Sequence, residues 1–167
     1  MDYKEFFLDL NFIKLRVLYD EIKGKIIKTN IFEKSSINVN ETKNYITEII
    51  KSYFYGEIEK FDLSILNMDD LKNFQREVLY KISLIPRGNV TTYKRLSELI
   101  GKNRAYRGVG NSLAKNPFPI ILPCHRVIKS NLYIGNFGNG SFLKMKILKF
   151  EGVNFERDYF VSKEFVL

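Results

Sequence analysis

The hydrophobic periodicity of the chain changes near residue 70, and this change limits the possible folds more than any other feature. From Ile13 to Tyr19, apolar and polar side chains largely alternate, as in a half-buried strand. From residue 71 to residue 85, apolar side chains recur at the spacing of one helix face, until Pro86-Arg87-Gly88-Asn89 interrupts the pattern. The sequence therefore predicts an α/β domain over residues 1–70 and a mostly α-helical domain over residues 71–167.

The first domain is predicted to contain a hairpin, a helix and a further strand. A turn after Ile13–Tyr19 leads to a second strand near Lys25 to Ile31. Asn40 is a candidate N-cap for a helix whose apolar face lies within residues 45–54, and Glu59 to Leu66 has the pattern of a strand. Nothing in these residues indicates chemistry of their own.

The second domain contains two short helices joined by a glycine turn, which predicts a helix-turn-helix. Thr92 can cap a helix that runs to Ile100, Gly101 ends it, and another helix runs from about Arg104 to Lys115. This second helix is rich in small residues: Gly108, Gly110, Asn111, Ser112 and Ala114. Each glycine costs a helix about 1 kcal/mol relative to alanine. Close approach to another backbone and packing against a neighbouring helix both remain possible reasons for them.

The only cysteine and the only histidine are adjacent, within Pro123-Cys124-His125-Arg126-Val127. Thiolate is the reactive form of cysteine, and an imidazole can take the thiol proton near neutral pH. The two prolines of 116–122 predict a stiff, extended approach to this pair, and a helix from about Ser141 to Phe150 follows it, before Glu151-Gly152. The alternative is an inert buried cysteine.

Charge is divided unevenly between the two predicted domains. Residues 1–70 carry 10 Lys and Arg against 13 Asp and Glu, whereas residues 71–167 carry 17 against 6. The half that holds Cys124 therefore has a net charge of +11, the first half has a net charge of −3, and the whole chain has +8. A polyanion such as DNA is the natural partner of such a surface, although a basic surface can also be only solvated.

Residues 74–152 resemble the 6-O-alkylguanine-DNA alkyltransferases, also called methylated-DNA–protein-cysteine methyltransferases. The resemblance is carried by Thr92-Tyr93, Arg107-Gly108-Val109-Gly110, Asn116-Pro117, Pro123 to Val127, Lys144 and Glu151-Gly152. It implies an RNase H-like N-terminal domain, which the periodicity alone does not predict. It also implies irreversible transfer of an alkyl group from guanine in DNA to a cysteine, so that each molecule acts once.

The resemblance assigns catalytic roles to six residues. Cys124 would be the acceptor, His125 its base through a water, and Glu151 the carboxylate that orients the imidazole. Three more would support the site: Asn116 would hold the loop, Lys144 would polarise the tyrosine or the loop, and Tyr93 would contact the flipped base. From the residues alone, Asn116 could be only a helix C-cap, Lys144 only a surface lysine, Glu151 a solvated acid and Tyr93 an ordinary half-buried tyrosine.

The resemblance also implies a DNA-binding surface and a base pocket. Arg107 would enter the base stack to replace the extruded nucleotide, in the minor groove. Thr92, Gly108, Asn111 and Ser112 would lie on the DNA-binding surface, and the carbonyls of Cys124 and Val127 would accept bonds from the base. Phe137-Gly138-Asn139-Gly140 departs from the family's Tyr-Ser/Arg-Gly-Gly, so the substrate range stays open. The glycines of 135–140 do not form a dinucleotide fingerprint.

We expect no cofactor and no metal, because structural zinc takes four Cys or His ligands and none precedes residue 124. A lone cysteine is typical of a reducing cytoplasm, and no apolar run is long enough to suggest a membrane span. The expected protein is thus a cytoplasmic monomer that binds double-stranded DNA containing alkylated guanine. Two alternatives remain: a sensor of alkylated DNA, a class that lacks the reactive cysteine, and a helix-turn-helix regulator, which would leave Cys124 and His125 idle.

Overall fold

The computed structural model describes residues 2–167, which divide into two compact units. The first comprises the chain up to Asp70 together with Pro117–Ile121, and the second comprises Leu71–Asn116 and Leu122–Leu167. Pro117–Ile121 thus belongs with the first unit, although the sequence boundary assigns it to the second domain. It is held there by Thr29, whose backbone N–H donates to the Pro117 carbonyl at 2.8 Å.

A three-stranded antiparallel sheet forms the first unit. Its strands are consecutive along the chain: β1 (Tyr3–Leu10), β2 (Ile13–Asp20) and β3 (Lys25–Glu33). The predicted hairpin is confirmed as β2–β3, with Leu15 opposite Ile31. Strand β1 was not predicted, since its apolar residues do not alternate strictly, yet it pairs with β2 along its whole length.

One helix, α1 (Tyr45–Tyr55), accompanies the sheet. The predicted cap at Asn40 is wrong, because the helix begins after Asn44. Asn44 and Thr47 form a capping box, in which each side chain accepts the other's backbone N–H at 3.0 and 2.9 Å. Of the predicted apolar face, Tyr45 is 75% exposed, whereas the residues one and two turns further along are buried: Ile50, Tyr53 and Phe54.

The predicted strand at Glu59 to Leu66 is also wrong. The segment contains a 3-10 turn at Leu63–Ile65, held by Asp62, whose carboxylate accepts the Ser64 N–H at 2.9 Å. Leu66 makes only an isolated bridge to Ile26. The apolar alternation is present, but no neighbouring strand pairs with the rest of the segment.

The second unit contains four helices and four short strands. In chain order these are α2 (Asn73–Ser83), β4 (Thr91–Thr92), α3 (Tyr93–Leu99), α4 (Tyr106–Ala114), β5 (Val127–Ile128), α5 (Ser141–Phe150), β6 (Phe155–Arg157) and β7 (Phe160–Val161). Strands β4 and β5 are parallel, and β6 and β7 form an antiparallel hairpin. The helices were predicted and the strands were not. No helix within residues 2–167 has the length and apolar character needed to cross a membrane.

Helices α3 and α4 begin and end near the predicted positions. The Thr92 hydroxyl accepts the Arg95 N–H at 3.0 Å and so caps α3, and Gly101 follows the helix with φ 66°. Gly108 of α4 faces α2, because a Cβ there would lie 3.2 Å from the Phe74 ring. At this glycine, therefore, packing against a neighbouring helix is a sufficient reason for the small residue.

The turn after α2 contacts the end of α5. Gly88 has φ 78°, and a Cβ there would lie 3.2 Å from the Glu151 carbonyl. Arg87 donates to the Phe150 carbonyl at 2.9 Å and stacks on the Phe150 ring. This turn therefore fixes the C-terminal end of α5, where Glu151 lies.

Candidate active site

Cys124 opens a single 3-10 turn, Cys124–Arg126, that leads directly into β5. The predicted extended approach is wrong, because the preceding segment makes turns, with Ile120 at φ 76°. Cys124 itself is half-buried, while His125 and Arg126 are buried. The turn thus leaves Cys124 partly accessible and directs the next two side chains into the unit.

His125 and Arg126 both bind the carboxylate of Glu151. His125 Nε2 lies 2.9 Å from Glu151 Oε1. Arg126 donates from Nε to Oε2 at 2.9 Å and from a terminal nitrogen to Oε1 at 2.8 Å, a bidentate pair. A further Arg126 nitrogen donates to the Ile85 carbonyl at 2.7 Å. The carboxylate is therefore held on both oxygens.

These contacts determine the charges of Glu151 and His125 at neutral pH. Burial opposes the ionised form of Glu151, but His125 and Arg126 outweigh it and lower the pKa of this carboxyl to about 2. Burial also lowers the pKa of His125 below its ordinary 6.5, although Glu151 acts in the opposite direction. At neutral pH the structure thus holds an ionised carboxylate beside a neutral imidazole.

The tautomer of His125 follows from this pairing. An ionised carboxylate only accepts hydrogen bonds, so the proton of the neutral imidazole resides on Nε2. Nδ1 then carries a lone pair, and this buried atom has no hydrogen-bond partner within residues 2–167. His125 therefore presents a proton acceptor on the side of the ring away from Glu151.

The thiol of Cys124 is protonated in the resting site. Burial raises its pKa above the ordinary 9.0, while a hydrogen bond with the Asn116 side chain and the charge of Lys144 act in the opposite direction. Asn116 also donates to the Leu122 carbonyl at 2.8 Å. It therefore connects the end of α4 to the residues on either side of Pro123.

Lys144 is a buried cation, 1% exposed, on α5. Its ammonium donates to the carbonyls of Val127 and Ile134, each at 2.6 Å. Burial lowers its pKa to about 8. Lys144 is not a surface residue, and its hydrogen bonds hold β5 beside the loop that returns to α5.

Tyr93, the first residue of α3, lies close to the site. Burial raises the pKa of its phenol, and charge on Cys124 raises it further. A Cβ at Gly110 would lie 3.9 Å from its ring, and one at Gly135 would lie 3.7 Å from its hydroxyl. Tyr93 is thus placed between α4 and the loop after β5.

The residues expected on the DNA-binding surface have different environments. Arg107 and Asn111 are exposed on α4, and Thr92 is half-buried at the start of α3. Ser112 is buried at 7% exposure, and its carbonyl accepts from Gln75 at 3.3 Å. Ser112, like Gly108, is therefore on the packed side of α4, whereas Arg107 and Asn111 are accessible to a partner.

Two of the residues expected at the base pocket, Phe137 and Gly138, lie in the loop before α5. Phe137 is half-buried, Gly138 is exposed, and a Cβ at Gly138 would meet no atom within 4 Å. The Val127 carbonyl already accepts from Lys144, and the Cys124 carbonyl accepts the Val127 N–H. Each carbonyl retains a second lone pair for a base.

Arg126 is the residue whose role the sequence did not reveal. It is 3% exposed and supplies two of the three hydrogen bonds to Glu151 described above. The available signal was a charged residue between two predicted functional positions, inside a motif that leads into a buried strand.

Residues 2–167 contain no group of three or more His, Cys, Asp or Glu side chains that could hold a metal ion. The expected absence of zinc stays a prediction.

The chain is similar in sequence to the proteins of a known family. The sequence model of the 6-O-methylguanine DNA methyltransferase DNA-binding domain matches residues 73–153. The methylated-DNA–protein-cysteine methyltransferase of Methanothermobacter thermautotrophicus is 37% identical over 66% of this chain, a match that spans 62% of that relative. The enzyme of the same name from Methanosarcina barkeri is 38% identical over 68% of this chain and 73% of its own length.

The fold is similar as well. The crystal structure of Mycobacterium tuberculosis OGT in complex with DNA is 26% identical, with a TM-score of 0.69, over 87% of this chain and 90% of that chain. It shares the mixed helix and strand content described above. The chain therefore belongs to the methylated-DNA–protein-cysteine methyltransferase family.

Proposed function

We propose that this protein repairs DNA by moving an alkyl group from the O6 atom of guanine to Cys124 Sγ. The observation that carries the proposal is the buried pair of His125 and Glu151, whose nearest side-chain atoms lie 2.9 Å apart. His125 directly follows the only cysteine of the sequence. The pair leaves His125 Nδ1 as a proton acceptor, and the thiol that needs to lose a proton belongs to the preceding residue. Membership of the family supports the same chemistry.

The reaction is an in-line displacement at a saturated carbon. The thiol proton passes to His125, through a water, while Sγ attacks the alkyl carbon. An S–C bond forms, the C–O6 bond breaks, and guanine leaves with the electron pair, later taking up a proton. Glu151 compensates the positive charge that develops on His125, and Arg126 holds Glu151 in position.

The product is a thioether, which water does not hydrolyse as it would an acyl-enzyme. No residue described here would remove the alkyl group from Sγ. Each molecule therefore acts once, without a cofactor. A cysteine hydrolase would use the same pair of residues but would turn over.

Recognition of the lesion rests on α3 and α4, which we infer to be a helix-turn-helix that lies in the minor groove. Arg107 is exposed on α4 and can fill the gap in the stack when the alkylated guanine is rotated out. The partner that we propose is double-stranded DNA, bound by a monomer. The positive charge of the second half and the DNA present in the solved OGT complex support DNA binding. The first unit, with its antiparallel sheet, is inferred to be the RNase H-like support.

The test is incubation with excess duplex DNA containing O6-methylguanine, followed by peptide mass analysis. We expect one methyl group per chain on Cys124, a single equivalent of repaired guanine, and no transfer in Cys124→Ser. Selective binding of the methylated duplex without protein methylation would indicate a sensor. Binding without any preference for the lesion would indicate a regulator, and repeated turnover a hydrolase.

A further inference from the structure

A pocket in the second unit lies beside Tyr93 and is distinct from the Cys124 site. It has a volume of about 340 Å³, its walls are largely apolar, and its lining is formed by Tyr93, Lys94, Tyr106, Lys129 and Ser130. Its lining includes neither Cys124 nor the buried side chains of His125, Arg126 and Glu151. The mechanism proposed above gives it no role.

The lining combines two aromatic rings with two ammonium groups. Tyr106 begins α4, directly before Arg107, and is 46% exposed. Lys94 and Lys129 are both exposed, and no ion pair within residues 2–167 engages either ammonium. Lys129 Nζ lies 5.2 Å from the centroid of the Tyr133 ring, a cation–π contact that holds it at this edge. No acidic side chain lines the pocket.

These groups match the chemistry of a nucleotide. Bases of single-stranded nucleic acid stack on aromatic side chains, and their phosphates bind Lys or Arg. A base between the rings of Tyr93 and Tyr106 would place its phosphate near Lys94 and Lys129. Tyr106, which lines the pocket, directly precedes Arg107 at the start of the helix proposed to enter DNA.

Tyr93 relates this pocket to the reactive site. It lines the pocket, and it is close enough to Cys124 for charge on the thiol to affect its phenol. Tyr93 therefore separates the pocket from Cys124, where the alkylated guanine is proposed to bind. A nucleotide of the same strand that enters the pocket would be the neighbour of that guanine.

We propose that this pocket is a second nucleotide subsite, which stacks the base next to the alkylated guanine between Tyr93 and Tyr106 and binds its phosphate with Lys129. This inference rests on the proposed function, because it concerns how the same DNA strand is held. It makes Tyr106 and Lys129 positioning residues for the lesion.

The experiment uses full-length protein with Cys124→Ser, so that no transfer occurs during titration. The probe is single-stranded DNA with O6-methylguanine beside 2-aminopurine, whose fluorescence is quenched by stacking. We expect Tyr106→Leu to weaken binding about tenfold and to abolish most of the quenching, and Tyr106→Phe to retain both. Lys129→Ala should lower the slope of log affinity against log salt by about 0.7, the value for one phosphate on a single strand.

The matched controls are Tyr80→Leu and Lys102→Ala, exposed residues of the same unit that line a different pocket. They should leave quenching unchanged. Unaltered quenching in Tyr106→Leu, or equal losses in the controls, would overturn the subsite. Failure of the proposed function is distinguishable, because it would appear as no methylation of Cys124 in the otherwise unmodified protein, whatever the quenching shows.

Discussion

His125 Nε2 lies 2.9 Å from Glu151 Oε1, and the two side chains are 1% and 5% exposed. A carboxylate in this position fixes the imidazole tautomer, and it remains ionised because Arg126 also binds it. The charge of Arg126 is compensated by Glu151 in turn. Structure and chemistry in this site therefore depend on the same carboxylate.

The change Glu151→Gln is expected to destabilise the fold strongly, because it leaves Arg126 buried without a counter-charge. Breaking a buried pair in this way costs about 3–5 kcal/mol of unfolding free energy. Denaturant unfolding measures it. Glu98→Gln is the matched control, since its partner Arg95 lies 3.5 Å away in an exposed pair that should contribute less than about 1 kcal/mol. Similar losses in the two variants would contradict the role of the buried pair.

The pH dependence of transfer follows from the lowered pKa of His125. The imidazole must be neutral to accept the thiol proton, and burial keeps it neutral below its ordinary 6.5. With free O6-methylguanine base as the alkyl donor, the acid limb of the rate against pH should therefore have its midpoint below 6.5. Methylation of Cys124 measured across this range tests it, and an acid limb with its midpoint at or above 6.5 would show that the imidazole is not held neutral.

Asn116→Ala should raise the pKa of Cys124 further, because the Asn116 side chain favours the thiolate through a hydrogen bond. The midpoint of carbamidomethylation by iodoacetamide against pH should move upward. The Leu122 carbonyl also loses one of its two donors, at a cost of about 0.5–1.5 kcal/mol, because the Cys124 N–H still donates to it at 2.8 Å. Asn111→Ala, exposed on α4, serves as the control and should leave the midpoint unchanged. A midpoint in Asn116→Ala equal to that of the parent protein would refute this role.

Much of this site was accessible from the sequence, but its internal pairing was not. Cys124 and His125 were indicated by their adjacency and Glu151 by the resemblance, whereas the bidentate contact of Arg126 depends on α5 returning to the 3-10 turn, 25 residues later. In the first unit too, the sequence pattern alone did not determine the structure. The Glu59–Leu66 segment has the alternation of a strand, but a strand also needs a neighbour that the alternation does not reveal. At the start of α1, both Asn40 and Asn44 could act as caps, and the reciprocal bond with Thr47 selects Asn44.

Arg107→Ala should slow repair of duplex DNA by about tenfold or more, because extrusion of a base costs a few kcal/mol and Arg107 is proposed to fill the gap. Transfer from the free alkylated base requires no extrusion and should change little. The ratio of the two rates is the measurement. Lys102→Ala removes an equal charge from an exposed position of the same unit and should not alter this ratio. Equal losses on both substrates in Arg107→Ala would show that the role is wrong.

Alkylation of Cys124 should lower the stability of the protein. The thiol is hydrogen-bonded with Asn116, and the carbonyl of Cys124 accepts the Val127 N–H within the 3-10 turn. Although the residue is only half-buried as a whole, burial of its thiol raises the pKa, so an added methyl group is expected to displace neighbouring atoms, which typically costs about 1–3 kcal/mol. The methyl group also prevents formation of the thiolate, the form of the sulfur that the Asn116 hydrogen bond favours.

The displacement has a defined route to the DNA-binding helix. Asn116 lies two residues after the end of α4 and binds both Cys124 and the Leu122 carbonyl, so movement of Sγ alters the position at which α4 ends. The alkylated protein should therefore bind DNA more weakly as well as unfold at a lower temperature, which would release it after repair. Thermal midpoints and DNA affinity, compared before and after complete methylation of Cys124, measure both effects. In Asn116→Ala the affinity change should be smaller, because the connection to α4 is absent. An unchanged or raised midpoint in the methylated parent would mean that the pocket has room for the methyl group.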